Sequence, residues 1–460
     1  MPRPRIIHGD CREVMRQLIA EGVQVDSLVA DPPYHLESIV KRFGSANAAP
    51  AQTKQTGAFA RASAGFMGQQ WDGADENGSR IAFEVEVWSL ALQLLKPGGH
   101  LLAFGGTRTF HRMVCAIEDA GFDIRDMLAW TYASGFPKSR DVSRDIDKLL
   151  GQEREVVGQG RGGPAMKMGG ENGRAWHAEQ AANGGKFDRT APASEEAKRY
   201  EDYRTALKPA LEPICMARKP LAHSSIARNV LELGTGALNI GACRVEFESI
   251  EDLEATKAKN AHAQFDSGPR TNHVYKPDQR AREDYDATGR WPANLLHDGS
   301  AEVLALFPDT APARSGKPRS GRTAPDWAMT HTGAEYDDTG GSAARFFFTA
   351  KADDTDRVYR CKACGARNVL GEPSCHPGQS IRHPTVKPLD LMRWMVRLVT
   401  PPGGTVLDPF AGTGSTGIAA DREGFHSILI EQSADFVGDI EFRLAAAGGA
   451  GTPLFGGAHG

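Results

Sequence analysis

Apolar residues near the N-terminus follow two alternating spacings, one typical of strands and the other of helices. Residues 5–8 and 25–30 are short apolar runs, and the segment from Cys11 to Ala20 between them carries apolar side chains at helical spacing. The alternation continues through a helix at about 81–95, a turn at 96–99, a strand at 100–104, a helix at 110–120 and an extended segment at 122–132. Such alternation predicts an α/β fold with a largely parallel sheet.

A long polar interval follows, and the periodic pattern returns only near the C-terminus. Residues 158–185 hold nine glycines with almost no apolar periodicity, so they are predicted to form a flexible loop. The C-terminal pattern predicts, in order, a helix at 389–399, a strand at 404–408, a helix at 414–421, a strand at 426–430 and a helix at 435–444. The two periodic parts therefore look like one interrupted α/β unit.

Composition narrows the class of protein. The chain has 460 residues, 40% hydrophobic and 24% charged, which favours a globular protein. Its net charge of −4 means that any contact with nucleic acid must come from local basic patches. The seven cysteines are odd in number and scattered, which favours a reducing cytoplasm over a disulfide framework. We expect neither a signal peptide nor a membrane span.

The first candidate site is Asp31-Pro32-Pro33-Tyr34, directly after an apolar strand. Ligands of open α/β sheets bind outside the carboxyl ends of strands. A carboxylate and a rigidly placed backbone carbonyl could accept both N–H groups of an exocyclic base amine, and the aromatic ring could stack on a base turned out of a duplex. The alternative is a plain strand-terminating turn.

The second candidate site runs from Asp408 to Gly414, a glycine-containing turn between a strand and a helix. Glycines allow a cofactor to approach the backbone closely. The next strand ends in Glu431, about 20 residues on, where a carboxylate can bind ribose hydroxyls. A similar Gly234-Thr235-Gly236 sequence is a poorer candidate, because no crossover helix fits before the extended segment that follows it.

Together with His383-Pro384-Thr385-Val386-Lys387-Pro388, these motifs resemble the amino-type DNA methyltransferases that modify adenine N6 or cytosine N4. The order, with DPPY before the glycine motif, is similar to their permuted β-class, over roughly residues 4–135 and 380–445. Other segments, such as LKPALEPICMARKPL, look like methyltransferases of phage and prophage origin.

The resemblance implies a Rossmann-like, circularly permuted class I fold that uses S-adenosylmethionine and acts on double-stranded DNA. It implies core parts at 1–135 and 381–446, an insertion with the target-recognition region at 136–380, and a flexible tail at 447–460. The permuted order also predicts that the strand before Asp31 lies beside the strand ending near Asp10. The protein would be cytoplasmic and associated with the nucleoid, and a homodimer is one of the states left open.

The resemblance also assigns residues. Asp31, Pro32, Pro33 and Tyr34 would form the catalytic centre, with Asp31 holding the amine and Tyr34 stacking on the base. The residues implied to bind the cofactor are Asp10, Cys11, Asp31, Thr385, Lys387, Asp408, Pro409, Phe410, Ala411, Gly412, Thr413, Gly414, Glu431 and Gln432.

One group of residues falls outside the family pattern. Cys361, Cys364 and Cys375, with His376 or His383 as a fourth ligand, have the residue types of a tetrahedral structural zinc site. The alternative is a set of reduced thiols without a ligand.

Adenine N6 is the preferred target, since Asp at the first motif position is commoner among the adenine enzymes of the family. A cytosine N4 enzyme and a catalytically silent protein that binds DNA or cofactor are the alternatives.

Overall fold

The architecture comes from a computed structural model. It describes residues 4–35, 80–135, 139–161, 186–254, 289–310, 341–351, 356–361, 363–369, 371, 373–376, 380–382 and 386–448. Most of the predicted flexible loop at 158–185 and most of the predicted tail at 447–460 lie outside these residues.

The described residues form sixteen strands and ten α-helices. The strands are β1 (Arg5–His8), β2 (Val25–Ala30), β3 (Leu95–Phe104), β4 (Asp123–Thr131), β5 (Val156–Arg161), β6 (Lys186–Thr190), β7 (Leu211–Arg218), β8 (Leu295–His297), β9 (Asp309–Thr310), β10 (Gly341–Ser342), β11 (Phe348–Thr349), β12 (Tyr359–Cys361), β13 (Arg367–Asn368), β14 (Ser380–Arg382), β15 (Thr405–Asp408) and β16 (His426–Glu431). The helices are α1 (Cys11–Ala20), α2 (Val85–Leu94), α3 (Phe110–Asp119), α4 (Val142–Leu149), α5 (Glu195–Arg199), α6 (Ile226–Leu233), α7 (Ala301–Leu304), α8 (Leu389–Val399), α9 (Ser415–Arg422) and α10 (Ala434–Gly448).

Nine of these strands form one sheet in the order β1-β16-β15-β2-β3-β7-β4-β8-β11. Neighbouring strands are parallel throughout, except that β7 runs antiparallel between β3 and β4. The N-terminal strand β1 pairs with the C-terminal strand β16, as a circularly permuted chain requires. The predicted permuted α/β fold is confirmed.

Alternate residues of the central strands face two separate apolar cores. On β2, Leu28 contributes to a core with Met15 of α1 and Trp88 of α2, whereas Val29 contributes to a core with Trp394 of α8. Successive side chains of a strand point to opposite faces, so helices cover both faces of the sheet.

The first helix has both local features from which a sequence predicts a helix, an N-terminal cap and one apolar face. Asp10 caps α1, because its carboxylate accepts a hydrogen bond from the backbone N–H of Arg12. The buried side chains of this helix lie at helical spacing, and their burial in the core holds the helix against the sheet. They are Cys11, Val14, Met15 and Leu18.

Strand adjacency differs from the prediction. β2 does not lie beside β1, because β15 and β16 lie between them. The prediction was wrong because it treated strands near in sequence as near in the sheet. The actual order has a consequence for the site: β15, which leads into the glycine turn, pairs directly with β2, which leads into Asp31.

The predicted insertion at 136–380 is not wholly outside the core. It contributes β7, β8 and β11 to the main sheet, so the sheet is larger than the sequence suggested. The predicted turn at 96–99 is also different. It belongs to β3, which is irregular there: Val25 pairs with Leu95, but Ser27 pairs with His100. Gly98, with φ of +84°, accommodates the extra residues.

Among the described residues, none of the helices has the length and apolarity needed to cross a bilayer.

Candidate active site

The candidate catalytic and cofactor residues meet at one edge of the sheet. β1, β2, β15 and β16 are parallel, so their carboxyl ends share an edge. Asp10 lies just beyond the end of β1, Asp31 follows β2, Asp408 ends β15 and Glu431 ends β16. Four acidic residues therefore lie at the edge where α/β sheets bind ligands.

Asp31 belongs to a compact cluster of charged and phenolic groups. Its Oδ2 accepts a hydrogen bond from Lys387 Nζ at 2.7 Å, and its Oδ1 lies 3.0 Å from the Tyr34 hydroxyl. Glu212 Oε2 lies 3.0 Å from the same hydroxyl and 3.2 Å from Lys387 Nζ. The Tyr34 hydroxyl can donate its single proton to only one of these two carboxylates at a time, and its oxygen accepts a hydrogen bond from Lys387 Nζ at 3.0 Å.

Burial and the neighbouring carboxylates shift the pKa values of Lys387 and Tyr34 in this cluster. Burial alone would lower the pKa of Lys387, but the carboxylates of Asp31 and Glu212 outweigh it and raise that pKa. Burial, assisted by the same two carboxylates, raises the pKa of Tyr34 well above its usual value. Lys387 is thus an ammonium and Tyr34 a neutral phenol across the physiological range.

The ring of Tyr34 is held by its surroundings. Thr109 Oγ1 donates to the backbone carbonyl of Tyr34 at 2.7 Å, and a Cβ at Gly106 would come within 3.2 Å of the Tyr34 side chain. Lys387 Nζ, which donates to the hydroxyl, lies 5.3 Å from the ring centroid. Pro32 is buried and Pro33 partly buried, which fits a rigid turn after β2.

The glycine turn is organised around Asp408. Its Oδ1 accepts from the Phe410 backbone N–H at 2.9 Å and its Oδ2 from the Thr416 hydroxyl at 2.5 Å. Burial raises the pKa of Asp408 to about 7, in spite of these hydrogen bonds. The far end of the turn is held by Arg443, because its guanidinium donates to the carbonyl and the hydroxyl of Thr413.

The other residues of the turn either pack against neighbouring side chains or leave open space beside the backbone. Ala411 is buried against the core, Pro409 is buried, and the ring of Phe410 lies 6.2 Å from that of Trp88. Gly412, with φ of +53°, has nothing within 4 Å of where a side chain would project. The open space at Gly412 fits a turn against which a cofactor can lie.

Gly414 lies close to α10, the last helix described. Its φ is +82°, and a Cβ there would come within 2.9 Å of Ile440. Only glycine satisfies both the backbone conformation and this approach.

Glu431 links two strand ends. Its Oε2 accepts from the Gly412 N–H and its Oε1 from the Ser433 N–H, each at 2.8 Å. Burial raises the pKa of Glu431. Each oxygen retains a lone pair that could accept from a ribose hydroxyl. Gln432, the next residue, is exposed.

Asp10 and Cys11 have mainly structural contacts. The Asp10 carboxylate forms a two-point ion pair with Arg12, which lowers the pKa of Asp10. The Cys11 side chain is buried in the core, and burial raises the pKa of its thiol to about 12. Cys11 could therefore contribute to a cofactor site through its backbone, but its thiol is not placed to do so.

The second glycine sequence is a helix end. α6 stops at Gly234, which has φ of +79°, and Thr235 Oγ1 donates to the carbonyl of Pro97 at 2.6 Å. Gly234-Thr235-Gly236 therefore packs against the irregular part of β3 instead of following a strand.

The predicted metal ligands also come together. One ligand atom from each of Cys361, Cys364, Cys375 and His376 lies within 4.8 Å of the others. His383 and Thr385 lie outside the described residues.

Two residues of this site were missed by the sequence analysis. Glu212 lies on β7, whose place beside β3 depends on pairing between distant segments. Arg443 lies on α10, outside every motif that the sequence analysis used. No local signal identifies either of them, although Glu212 is within the LKPALEPICMARKPL segment.

A model of the N6/N4 DNA methylase family matches residues 25–157 and 201–442, well over half of the chain. The chain belongs to this family. The recognition made from the three motifs is confirmed, and so are the class I fold and S-adenosylmethionine as the cofactor of the family. The family name leaves the choice between adenine N6 and cytosine N4 open.

Individual relatives are distant. YubD of Escherichia coli (strain K12), named as a candidate methylase, is 42% identical over 64 residues, which is 14% of this chain and 28% of YubD. The chain thus matches less than a third of the length of this curated relative.

Solved structures with a similar arrangement are also remote in sequence. The M1.HpyAVI–SAM complex is 13% identical with a TM-score of 0.35, over 96% of this chain and 99% of that one. TTHA0409 of Thermus thermophilus is 14% identical with a TM-score of 0.36, over 97% and 96%. The cytosine-N4-specific PvuII DNA methyltransferase is 13% identical with a TM-score of 0.35, over 95% and 85%. Nothing about the target base follows from likenesses this weak.

Proposed function

We propose that this protein methylates an exocyclic base nitrogen of double-stranded DNA, adenine N6 in preference to cytosine N4. The observation that carries the proposal is the placement of Asp31. Its carboxylate lies between Tyr34 and Lys387 at the sheet edge, and its strand is the direct neighbour of the strand that leads into the Asp408–Gly414 turn.

Asp31 is suited to hold an amine. Both of its oxygens already accept one hydrogen bond, but each carboxylate oxygen can accept another. The amine of a base has a lone pair delocalised into the ring and is a poor nucleophile. If Asp31 and the Pro32 carbonyl accept its two N–H groups, the nitrogen becomes more pyramidal and its lone pair turns toward the cofactor side. Asp31 is the first acceptor of the proton that the nitrogen loses.

Lys387 and Glu212 act as positioning residues. The ammonium of Lys387 fixes one oxygen of Asp31, and Glu212 forms a second ion pair with the same ammonium. Tyr34 is held by the same groups, and its ring would stack on a base that has left the duplex, because the amine is inaccessible inside the duplex.

The cofactor residues fit S-adenosylmethionine, which when bound supplies an electrophilic methyl group. Asp408, Phe410, Gly412 and Gly414 would hold its methionine end. Glu431 would accept from its ribose hydroxyls, through the lone pairs that the backbone N–H groups leave unused.

The preference for adenine rests on the resemblance alone, since Asp at the first position of the catalytic motif is commoner in the adenine enzymes of the family. Adenine and cytosine both present an exocyclic amine, and the Asp31 cluster could hold either.

Transfer of tritium from labelled S-adenosylmethionine to unmethylated DNA tests the activity. Nucleoside analysis of the product then identifies the base. We expect N6-methyladenine. N4-methylcytosine without N6-methyladenine would contradict the adenine preference, and no incorporation with cofactor binding intact would identify a silent binding protein.

The Asp31→Ala variant tests the mechanism. It should abolish transfer while leaving the affinity for S-adenosylmethionine mostly intact, because the glycine turn is unchanged. Asp119→Ala, which removes an exposed carboxylate from the end of α3, is the matched control and should retain full activity. Turnover by the Asp31 variant would overturn the proposed role.

A further inference from the structure

A small three-stranded sheet, β13-β12-β14, carries a tight turn between its first two strands in sequence. Cys361 ends β12, and the chain turns back through Cys364 and Gly365. The Gly365 N–H donates to the Cys361 carbonyl at 2.9 Å, and Gly365 has φ of +75°. This Cys-x-x-Cys-Gly turn places two thiols on the same side, as metal knuckles do.

The thiols and an imidazole converge at this turn. The sulfurs of Cys364 and Cys375 are 3.3 Å apart, and the Cys361 sulfur is 3.4 Å from His376 Nδ1. Sulfurs joined in a disulfide would be about 2.0 Å apart. A zinc ion with Zn–S distances of about 2.3 Å holds its ligand atoms a little under 4 Å apart in a tetrahedron. The cluster has the size of a site for one metal ion.

This sheet has little else to hold it together. Its strands are two or three residues long, and among the described residues of 356–376 the buried apolar side chains are those of Val358, Cys361 and Pro373. Strands this short are unstable without a substantial core, and a bound metal is a common replacement for one.

Two ion pairs join the small sheet to α10. Arg367 Nε lies 2.6 Å from Asp439 Oδ1, and Arg360 Nη2 lies 3.0 Å from Asp435 Oδ2. Both acids are on α10, the helix that follows Glu431. Gly438, also on this helix, leaves room for the Arg367 guanidinium, because a Cβ there would come within 2.4 Å of it.

The other connection runs toward Lys387. β14 pairs with β12 so that Ser380 is opposite Cys361, seven residues before Lys387 in the chain. A metal ion at Cys361 would thereby hold the strand from which the Lys387 segment departs.

We propose that Cys361, Cys364, Cys375 and His376 bind one structural zinc ion, and that this ion holds the segment leading to Lys387 in place beside Asp31. Four ligands from the chain close the coordination shell, which suits a structural and not a catalytic ion. Thiolate and imidazole ligands select zinc over magnesium or calcium. Zinc binding is independent of the proposed methyl transfer; only the significance of holding Lys387 rests on it.

Metal analysis of the full-length protein, purified without added metal, tests the site. We expect about one zinc per chain, released when a mercurial reagent modifies the thiols. Cys364→Ser and Cys375→Ser should lose the metal. Cys115→Ser, which changes an exposed cysteine on α3, should keep it. Wild-type protein with no zinc, with iron in its place, or with a Cys364–Cys375 disulfide would overturn the proposal.

Hydrogen–deuterium exchange tests the coupling without an activity measurement. Removal of the metal from the wild type should speed exchange at least tenfold in peptides from 356–390 and leave α3 unchanged. Unchanged exchange near Lys387 would overturn the coupling. If the wild-type protein contains zinc but transfers no methyl group to DNA, the result counts against the proposed function and leaves the zinc site intact.

Discussion

Replacement of Lys387 by methionine removes the only positive charge that the described residues place between Asp31 and Glu212. Methionine keeps most of the apolar stem. Removing one partner of a buried ion pair costs about 3–5 kcal/mol. The side chains of the two acids are 27% and 19% exposed, so water screens them in part, and we expect a loss near the lower end, about 3 kcal/mol in the free energy of unfolding.

The cost should depend on pH. The pKa of Lys387 is raised by its two carboxylates, so its contribution to stability is fully present below the usual lysine range and is constant from pH 5.5 to 7.5 in the wild type. In the variant, two carboxylates face each other without a cation. One of them is expected to bind a proton more readily when folded than when unfolded, which relieves the repulsion as the pH falls. At about 1.4 kcal/mol per pH unit, the cost should be about 1–2 kcal/mol smaller at pH 5.5 than at pH 7.5.

Urea unfolding at the two pH values, followed by tryptophan fluorescence, measures both quantities. Lys219→Met is the matched control, because Lys219 Nζ donates to the carbonyls of Leu92 and Leu95 and, within the described part of the chain, forms no ion pair. It should cost about 1–2 kcal/mol for its lost hydrogen bonds, without a decrease at pH 5.5. The reasoning fails if the Lys387 variant loses no more stability than the control, or if its loss is the same at both pH values.

Three further predictions concern other residues of the site. Glu212→Gln should lower kcat about tenfold with KM for S-adenosylmethionine unchanged in steady-state assays, because it perturbs Asp31 through Lys387; a change in KM alone would contradict this. Burial raises the pKa of Asp408 from 3.8 to about 7, so its contribution to stability is fully present below about 4 and is lost as the pH rises through 7. The free energy of unfolding of Asp408→Asn should therefore rise by about 2 kcal/mol relative to that of the wild type between pH 5 and pH 8, as measured by thermal unfolding. Parallel pH profiles of the variant and the wild type would refute this. Gly414→Ala should lower the free energy of unfolding in urea by about 2–4 kcal/mol, because backbone strain adds to a clash with Ile440. Gly412→Ala, which has open space, should lower it by only about 1 kcal/mol. Equal losses in the two variants would contradict the predicted clash.

The sequence predicted those parts of the fold that depend on local patterns. The bounds of α1 and β2 agree with the prediction to the residue, because a cap at Asp10 and a proline stop after Asp31 are local signals. The strand order was not predictable in this way, since the pairing of β2 with β15 joins residues nearly 380 positions apart in the chain.

The residues of the candidate site also differ in whether a local pattern identifies them. Asp31, Tyr34 and Lys387 belong to short motifs and could be named from the sequence. Glu212 joins them only because β7 runs antiparallel beside β3, and a single antiparallel strand from a long polar interval has no distinct periodic signal.

The pairing of the first strand with the last strand sets when the site can form. During synthesis β1 and β2 emerge early, but their partners β16 and β15 lie beyond residue 400. β2 can pair early with β3, but its other edge, and the edge of β1, remain uncovered until residues beyond 400 have been made. A chain cut short by premature termination would have its catalytic motif but no complete sheet to hold it. Such a fragment would lack the pairing of β2 with β15 that brings Asp31 beside the glycine turn, so the permuted order delays the assembly of the site until residues beyond 400 have been made.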